Sequence, residues 1–190
     1  MILEKKKLNR EHLGSVPALP IKVVQFGEGN FLRAFVDYAF HELNEKVGFD
    51  AGVAVVQPLE NGMVSWLNDQ DGLFTLFLNG VKKGAKIQDT SLITNIVAGV
   101  NPYKDFEAYL NLSREESLQF VISNTTEAGI EFVESDTMEM TPPSSFPAKL
   151  LVFLYERYVY FCGDESKGLH IIPCELINYN ADTLKAVLLQ

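Results

Sequence analysis

The chain has 190 residues, with 16 Lys or Arg against 25 Asp or Glu, so its formal net charge is −9. Its 47% hydrophobic and 22% charged residues are typical of a globular domain and exclude a disordered or fibrous chain. The negative charge argues against nucleic acid or an anionic membrane surface as a main partner, because both are bound through basic surfaces. No apolar run approaches the ~20 residues that a membrane-spanning helix needs.

The cysteines and histidines give no sign of a disulfide framework or a metal site. Cys162 and Cys174 are too few for a framework, and we expect reduced thiols in the core of a cytoplasmic protein. The three histidines are widely spaced and share no metal-ligand motif, so no metal is predicted.

The first strong structural signal begins at residue 21. Ile21–Phe26 is short, rich in β-branched residues and bounded by proline and glycine, which predicts a buried strand. The glycine turn Gly27–Gly29 follows, Asn30 is a predicted N-cap, and an apolar stripe indicates a helix that ends at Gly48. A second apolar strand, Gly52–Val56, comes next. This order predicts a βαβ unit, which builds parallel sheets.

The glycine turn is the first candidate binding site. At a helix N-terminus, backbone N–H groups and the helix dipole favour a pyrophosphate. Gly27 permits a tight turn and Gly29 lets phosphates approach, but Leu32 occupies the third position of the G-x-G-x-x-G pattern. The residues alone leave dinucleotide binding, S-adenosylmethionine binding and a structural turn open. Arg33 lies near the positive end of the helix, so it is expected to meet an anion, with a solvated arginine as the alternative.

The end of the second strand bears on the choice of coenzyme. An NAD-binding fold usually places Asp or Glu there to hold the ribose hydroxyls, whereas this chain has Gln57. A glutamine can hydrogen-bond a hydroxyl and does not repel a 2′-phosphate. The residues therefore leave NAD and NADP open.

The centre of the chain predicts an antiparallel insertion. Leu73–Leu78 and Ile87–Val97 are rich in strand formers, and the turn residues Asn79-Gly80 and Lys82-Lys83-Gly84 separate them. We expect these segments to form an antiparallel pair inserted into the parallel pattern. A helix is predicted over Pro102–Leu112.

A polar loop after the next strand is the second candidate site. Ser117–Ser123 predicts a buried strand that runs into Asn124, Thr125, Thr126 and Glu127. Ligands of open α/β sheets bind at the carboxyl ends of strands, where the strand order reverses; a plain turn is the alternative. The rest of the chain predicts a linker over Met138–Pro147, a helix over Ala148–Cys162, a strand over Leu169–Pro173 and a helix over Ala181–Gln190.

The string VQFGEGNFLRAF, from Val24 to Phe35, resembles the N-terminal signature of the mannitol dehydrogenase family. These long-chain polyol and hexuronate dehydrogenases open with G-x-G-x-F-x-R-A, so Leu32 fits their pattern. Many polyol-specific members carry His where this chain has Phe35, which weighs against a polyol substrate. Three further blocks are similar to the same family, namely Asn68–Thr75, Ser123–Ile130 and Pro173–Ile177.

The resemblance implies a Rossmann-like α/β domain with a mostly parallel, doubly wound sheet over residues 20–190, after an N-terminal extension over residues 1–19. It implies NAD as cofactor and a sugar-acid substrate, with Glu127 as a substrate contact and Asn180 as a catalytic helper near the substrate carbonyl. Ala181 stands where relatives have glycine. The implied coenzyme contacts are Gly27, Gly29, Asn30, Phe31, Arg33, Gln57, Asn124, Thr125 and Thr126.

The implied activity is NAD(H)-dependent reduction of tagaturonate. Fructuronate or a neutral polyol are the alternative substrates, and a non-catalytic nucleotide-binding module is the alternative class. The family's C-terminal helical domain carries the catalytic lysine and packs on the coenzyme domain. We expect that domain to be absent, so the chain is predicted to bind coenzyme without turnover.

Overall fold

The computed structural model describes residues 8–14, 18–126 and 129–190. Its strands are β1 (Ile21–Phe26), β2 (Gly52–Val56), β3 (Phe74–Lys82), β4 (Ala85–Ile93), β5 (Ile96–Val100), β6 (Phe120–Ser123) and β7 (His170–Pro173). Five of them form a sheet in the order β5-β2-β1-β6-β7, and all neighbouring pairs in it are parallel. The order reverses between β1 and β6, as in a Rossmann sheet.

Helices cover both faces of this sheet. They are α1 (Asn30–Leu32), a π-helical segment (Arg33–Asp37), α2 (Tyr38–Val47), α3 (Val64–Asn68), α4 (Phe106–Ser113), α5 (Phe146–Tyr160) and α6 (Asn180–Leu188). The first three are continuous in sequence, and the helix they form ends at Gly48 in the left-handed conformation, as predicted. Short 3-10 turns lie at Glu11–Leu13 and Glu165–Lys167.

Alternate residues of the central strands divide the core into two layers. Val23 and Val53 pack on one face with Phe40 of α2, whereas Val24 packs on the other with Phe153 of α5. Every residue of β2 is buried, because both of its faces are covered. This arrangement explains why β1 and β2 are near-continuous apolar runs, and both strands have the predicted bounds.

The antiparallel insertion is confirmed, but its predicted bounds are wrong. β3 and β4 pair from Phe74–Ile93 at the base to Lys82–Ala85 at the tip, so Asn79-Gly80 lies within a strand. The turn is Lys83-Gly84, where both residues have positive φ, as a tight hairpin of right-handed twist requires. The predicted second strand, Ile87–Val97, is in fact two: β4 ends at Ile93, and β5 joins the parallel sheet.

Four smaller expectations are corrected, three of them at helix starts. Gly29 is the N-cap of the first helix, and Asn30 is its first residue. Capping residues fix where α4 and α5 begin. The Asp105 side chain accepts a hydrogen bond from the Ala108 N–H, and the Ser145 hydroxyl accepts one from the Ala148 N–H. As a result α4 begins after the predicted position and α5 before it. Cys162 is exposed rather than part of the core.

The predicted N-terminal extension lies partly outside the described residues. Its Arg10 is anchored to the domain: the backbone N–H donates to Asp71, and the guanidinium donates to the carbonyls of Asp71, Thr94 and Ile96 over 2.8–3.1 Å. Within the described ranges, no helix is both long and apolar enough to cross a membrane.

Candidate functional site

The predicted site residues gather at the carboxyl edge of the parallel sheet, where the strand order reverses. The ends of the three central strands are adjacent, with Phe26 of β1 paired to Val56 of β2 and to Ser123 of β6. Hydrogen bonds join their loops: Gly27 donates to the Val56 carbonyl, and Asn124 donates to the Phe26 carbonyl, each over 3.0 Å. The glycine turn and the Asn124 loop are therefore neighbours.

Gly27 is required by the protein's own packing. Its φ is +121°, and a Cβ there would lie 2.8 Å from the Asn124 carbonyl oxygen and 3.2 Å from Leu32 Cδ1. Only glycine accommodates that backbone conformation and that approach without strain. The turn thus packs directly on the loop after β6.

Gly29 is different, because none of the described residues crowds it. A Cβ at this position would meet no atom within 4 Å, and its φ of −69° is open to any residue. No side chain caps the helix that starts here. The space above the helix N-terminus is therefore open to a ligand, which is the property that a phosphate-binding turn needs.

The first helical turn presents Phe31 and Arg33. Phe31 is half exposed and packs against Phe35, with 5.6 Å between the ring centroids. Arg33 donates from Nη2 to Asn30 Oδ1 over 2.5 Å, and its guanidinium lies 5.5 Å from the centre of the Phe74 ring. Its Nε is buried without a hydrogen-bond partner.

Gln57 holds the loop after β2. Its side chain is 2% exposed, and Nε2 donates to the carbonyls of Leu59 and Glu60 over 2.8 and 2.9 Å. The remaining atom, Oε1, lies 3.4 Å from the Val64 N–H. The Gln57 amide is thus used to hold this loop in place. The predicted contact between Gln57 and a ribose stays a prediction. The loop, with the start of α4, lines a cleft of about 380 Å³.

Glu175 organises the loop after β6, and the sequence analysis missed it. This carboxylate is 4% exposed and accepts hydrogen bonds from the Ser123 hydroxyl, the Thr125 N–H and the Thr125 hydroxyl over 3.0–3.2 Å. Asn124 donates to the Cys174 carbonyl over 2.7 Å, whereas Thr126 is exposed. The available signal was an acidic residue two positions after the last predicted strand.

The roles of Asn180 as a catalytic helper and of Glu127 as a substrate contact stay predictions. Asn180 is the first residue of α6, and its two amide hydrogens donate to the carbonyls of Pro173 and Glu175 over 2.7 and 3.1 Å. A contact with a substrate carbonyl would require one of these bonds to be released. Glu127 lies outside the described residues.

A second cleft, of about 240 Å³, spans the two loops that flank β1. Leu59 comes from the loop after β2, Thr126 from the loop after β6, and Ser145 from the start of α5. Buried Lys149 donates over 2.7 Å to the carbonyl of Ser144, one of the residues that line this cleft. Desolvation lowers the pKa of this lysine to about 8, and the charge of Asp136 opposes that shift.

A family model described as the mannitol dehydrogenase Rossmann domain matches residues 21–190. The chain belongs to the mannitol dehydrogenase family. The resemblance read from the glycine turn and the expected Rossmann-like fold are thereby confirmed.

Curated relatives in this family are named altronate oxidoreductase. Those from Bacillus subtilis and Bacteroides thetaiotaomicron are 46% and 45% identical to the chain over 184 and 185 residues. These matches cover 97% of the chain but 38% of each relative. The chain therefore spans about 38% of the length of the curated relatives that it matches.

Two solved structures share the fold at low sequence identity. A Pseudomonas fluorescens mannitol 2-dehydrogenase, solved in a ternary complex with NAD and D-mannitol, matches with a TM-score of 0.77 at 18% identity. A substrate-free D-sorbitol dehydrogenase matches with a TM-score of 0.74 at 19% identity. They align with 97% and 96% of the chain, which corresponds to 42% of each structure.

Proposed function

We propose that this chain is the coenzyme-binding part of an NAD(H)-dependent oxidoreductase that reduces tagaturonate to altronate. The observation that carries the proposal is the 44–46% identity to altronate oxidoreductases over 97% of the chain. Phe35, in place of the histidine of many polyol-specific members, is consistent with a sugar-acid substrate. The open helix N-terminus at Gly29 fits a coenzyme diphosphate.

The residues at the sheet edge suit NAD in a defined way. The coenzyme, when bound, would supply the hydride for a keto carbon. Gly27, Gly29, Asn30 and Phe31 would form the wall beside the diphosphate, because a helix N-terminus favours negative charge. Arg33 would add a full positive charge there.

The flanking loops would hold the remaining parts of the coenzyme and the substrate. Gln57 would position the loop beside the adenosine ribose, and Asn124, Thr125 and Thr126 would line the opposite side. Glu127 and Asn180 would face the substrate. An orienting wall of this kind raises the rate by placing the reacting groups within reach of each other.

A C-terminal helical domain that carries the acid–base lysine is part of the same proposal. Apolar side chains at the carboxyl edge support a partner surface, since Leu176 and Tyr179 are both 81% exposed and Phe31 and Phe35 lie together in the open. Large exposed apolar groups that cluster near a site are typical of an interface. The cytoplasmic location also belongs to this proposal and is supported by two free thiols.

Calorimetry and a reductase assay test the two parts separately. Titration of the chain with NADH should give saturable heat, and titration with S-adenosylmethionine should give none. The chain should show no turnover of tagaturonate, whereas a protein extended through the C-terminal domain should oxidise NADH with tagaturonate in preference to fructuronate or fructose. Turnover by the 190-residue chain would contradict the placement of the catalytic lysine in the C-terminal domain. No measurable heat on titration with NADH would contradict the coenzyme site.

A further inference from the structure

A buried polar cluster lies directly beneath the glycine turn. Asp37, at the end of the π-helical segment, is 0% exposed, as are Gln25 of β1 and Asn95 just before β5. Gln25 Nε2 donates both to the Gly27 carbonyl over 3.1 Å and to Asp37 Oδ2 over 3.4 Å. Asn95 Nδ2 donates to the Asp37 backbone carbonyl over 2.9 Å. Gln25 thus links the Asp37 carboxyl to Gly27 through two hydrogen bonds.

In the described part of the chain, this cluster and nearby Arg33 together hold every buried side-chain N or O atom that lacks a hydrogen-bond partner. Four buried side-chain atoms lack a hydrogen-bond partner: three acceptors, on Gln25, Asp37 and Asn95, and one donor, Arg33 Nε. An unpaired buried polar group costs about 1–3 kcal/mol, so a cluster of four calls for a physical account. π-helical segments are frequent at functional sites, which makes this position notable.

A proton on Asp37 would account for two of these four unmatched atoms. A protonated carboxyl is a donor as well as an acceptor, so it removes one unmatched acceptor and can satisfy a second. Burial raises the pKa of Asp37 to about 7, while the hydrogen bond from Gln25 and the charge of Arg33 pull it down. The packed neighbours Gln25 and Asn95 are neutral amides, and Arg33 is the charged group whose field acts on this carboxyl.

We propose that Asp37 is a positioning residue for the coenzyme diphosphate, which takes up a proton as the diphosphate binds and so leaves the charge of Arg33 free to meet it. This inference rests on the proposed function. An ionised Asp37 attracts the Arg33 guanidinium and repels a nearby diphosphate, whereas a neutral Asp37 does neither. Linkage makes the effect reciprocal, so the bound diphosphate favours the protonated form.

Calorimetry with NADH in two buffers of different ionisation enthalpy measures that proton directly. The wild-type chain should take up a fraction of a proton per NADH, with a maximum near pH 7, and its Kd should rise several-fold from about pH 6 to about pH 8. Asp37→Asn should bind NADH without this uptake and with a flatter Kd profile. Glu45→Gln, an exposed change on the following helix, should behave like the wild type.

The outcomes separate this inference from the function on which it rests. Wild-type binding without proton uptake, or with the same uptake in Asp37→Asn, overturns the role of Asp37 and leaves the coenzyme site intact; an ordered water in the cluster would give that result. No binding at any pH overturns the proposed function itself. The wild-type uptake profile is decisive even if the variant fails to fold.

Discussion

The Asp37→Asn substitution should make the chain less sensitive to alkaline pH. The pKa of Asp37 is about 7 in the fold against 3.8 for a free carboxyl, and desolvation by burial is the main cause. Between these pH values the folded state holds a proton that the unfolded state has lost, so stability falls as pH rises through this window. An asparagine carries no charge, and its contribution does not change with pH.

The size of the effect follows from the pKa difference. At about 1.36 kcal/mol per pKa unit, the interval from about pH 5.5 to pH 7 costs the wild type about 2 kcal/mol of unfolding free energy relative to Asp37→Asn. Above pH 7 the difference in unfolding free energy between Asp37→Asn and the wild type should stay constant. Groups that titrate in both proteins cancel in the difference, so it reports Asp37 alone.

Urea unfolding followed by circular dichroism at about pH 5.5 and about pH 8.5 measures this difference. The free energy of unfolding of Asp37→Asn, relative to wild type, should be higher at the alkaline pH, and the exposed Glu45→Gln control should show no such change. A difference between Asp37→Asn and wild type that does not vary with pH would refute the reasoning, because it would mean that Asp37 has an ordinary pKa in the fold.

Four further substitutions probe the sheet edge. Gly27→Ala should lower the free energy of unfolding in urea by about 1–3 kcal/mol, because the φ of +121° and the 2.8 Å approach to a carbonyl oxygen exclude a Cβ. Gly29→Ala should leave stability within ~0.5 kcal/mol of the wild type and raise the Kd for NADH. Equal losses of stability in the two variants would contradict this distinction. Glu175→Gln should cost about 1–3 kcal/mol and speed amide exchange at Thr125, whose N–H loses a charged acceptor; unchanged exchange would argue against a role for Glu175 in this loop. Arg33→Gln should weaken NADH binding at low salt, and the loss should shrink as salt screens the charge.

The sequence predicted the parallel sheet well because its signals are local. β1 and β2 are buried on both faces, so their apolar runs are unbroken and their bounds are clear. The hairpin was harder: Asn79-Gly80 has turn composition but lies in a strand, since the positive φ values that close the hairpin fall at Lys83 and Gly84. The predicted strand Ile87–Val97 divides after Ile93 because β4 pairs with β3 and β5 pairs with β2. Strand pairing of this kind is a tertiary property.

The candidate site was predicted only as far as its backbone. The glycine turn and the loop after β6 could be placed because strand ends in parallel sheets converge. Glu175 comes 50 residues after Thr125 in the chain, and the contact that joins them depends on the β6–β7 pairing. The cluster around Asp37 includes Asn95, which lies 58 positions later in the chain, so no local sequence pattern predicts the cluster.

The β3–β4 hairpin also offers a site for engineering. Among the described strands, β3 and β4 pair only with each other. Buried Phe74 and Ile93 hold the base of the hairpin, and Val81 near its tip is exposed. Insertions at the Lys83-Gly84 turn would therefore extend the ribbon outward and spare the coenzyme edge. A fluorescent reporter or an affinity peptide grafted there should leave NADH titrations unaltered.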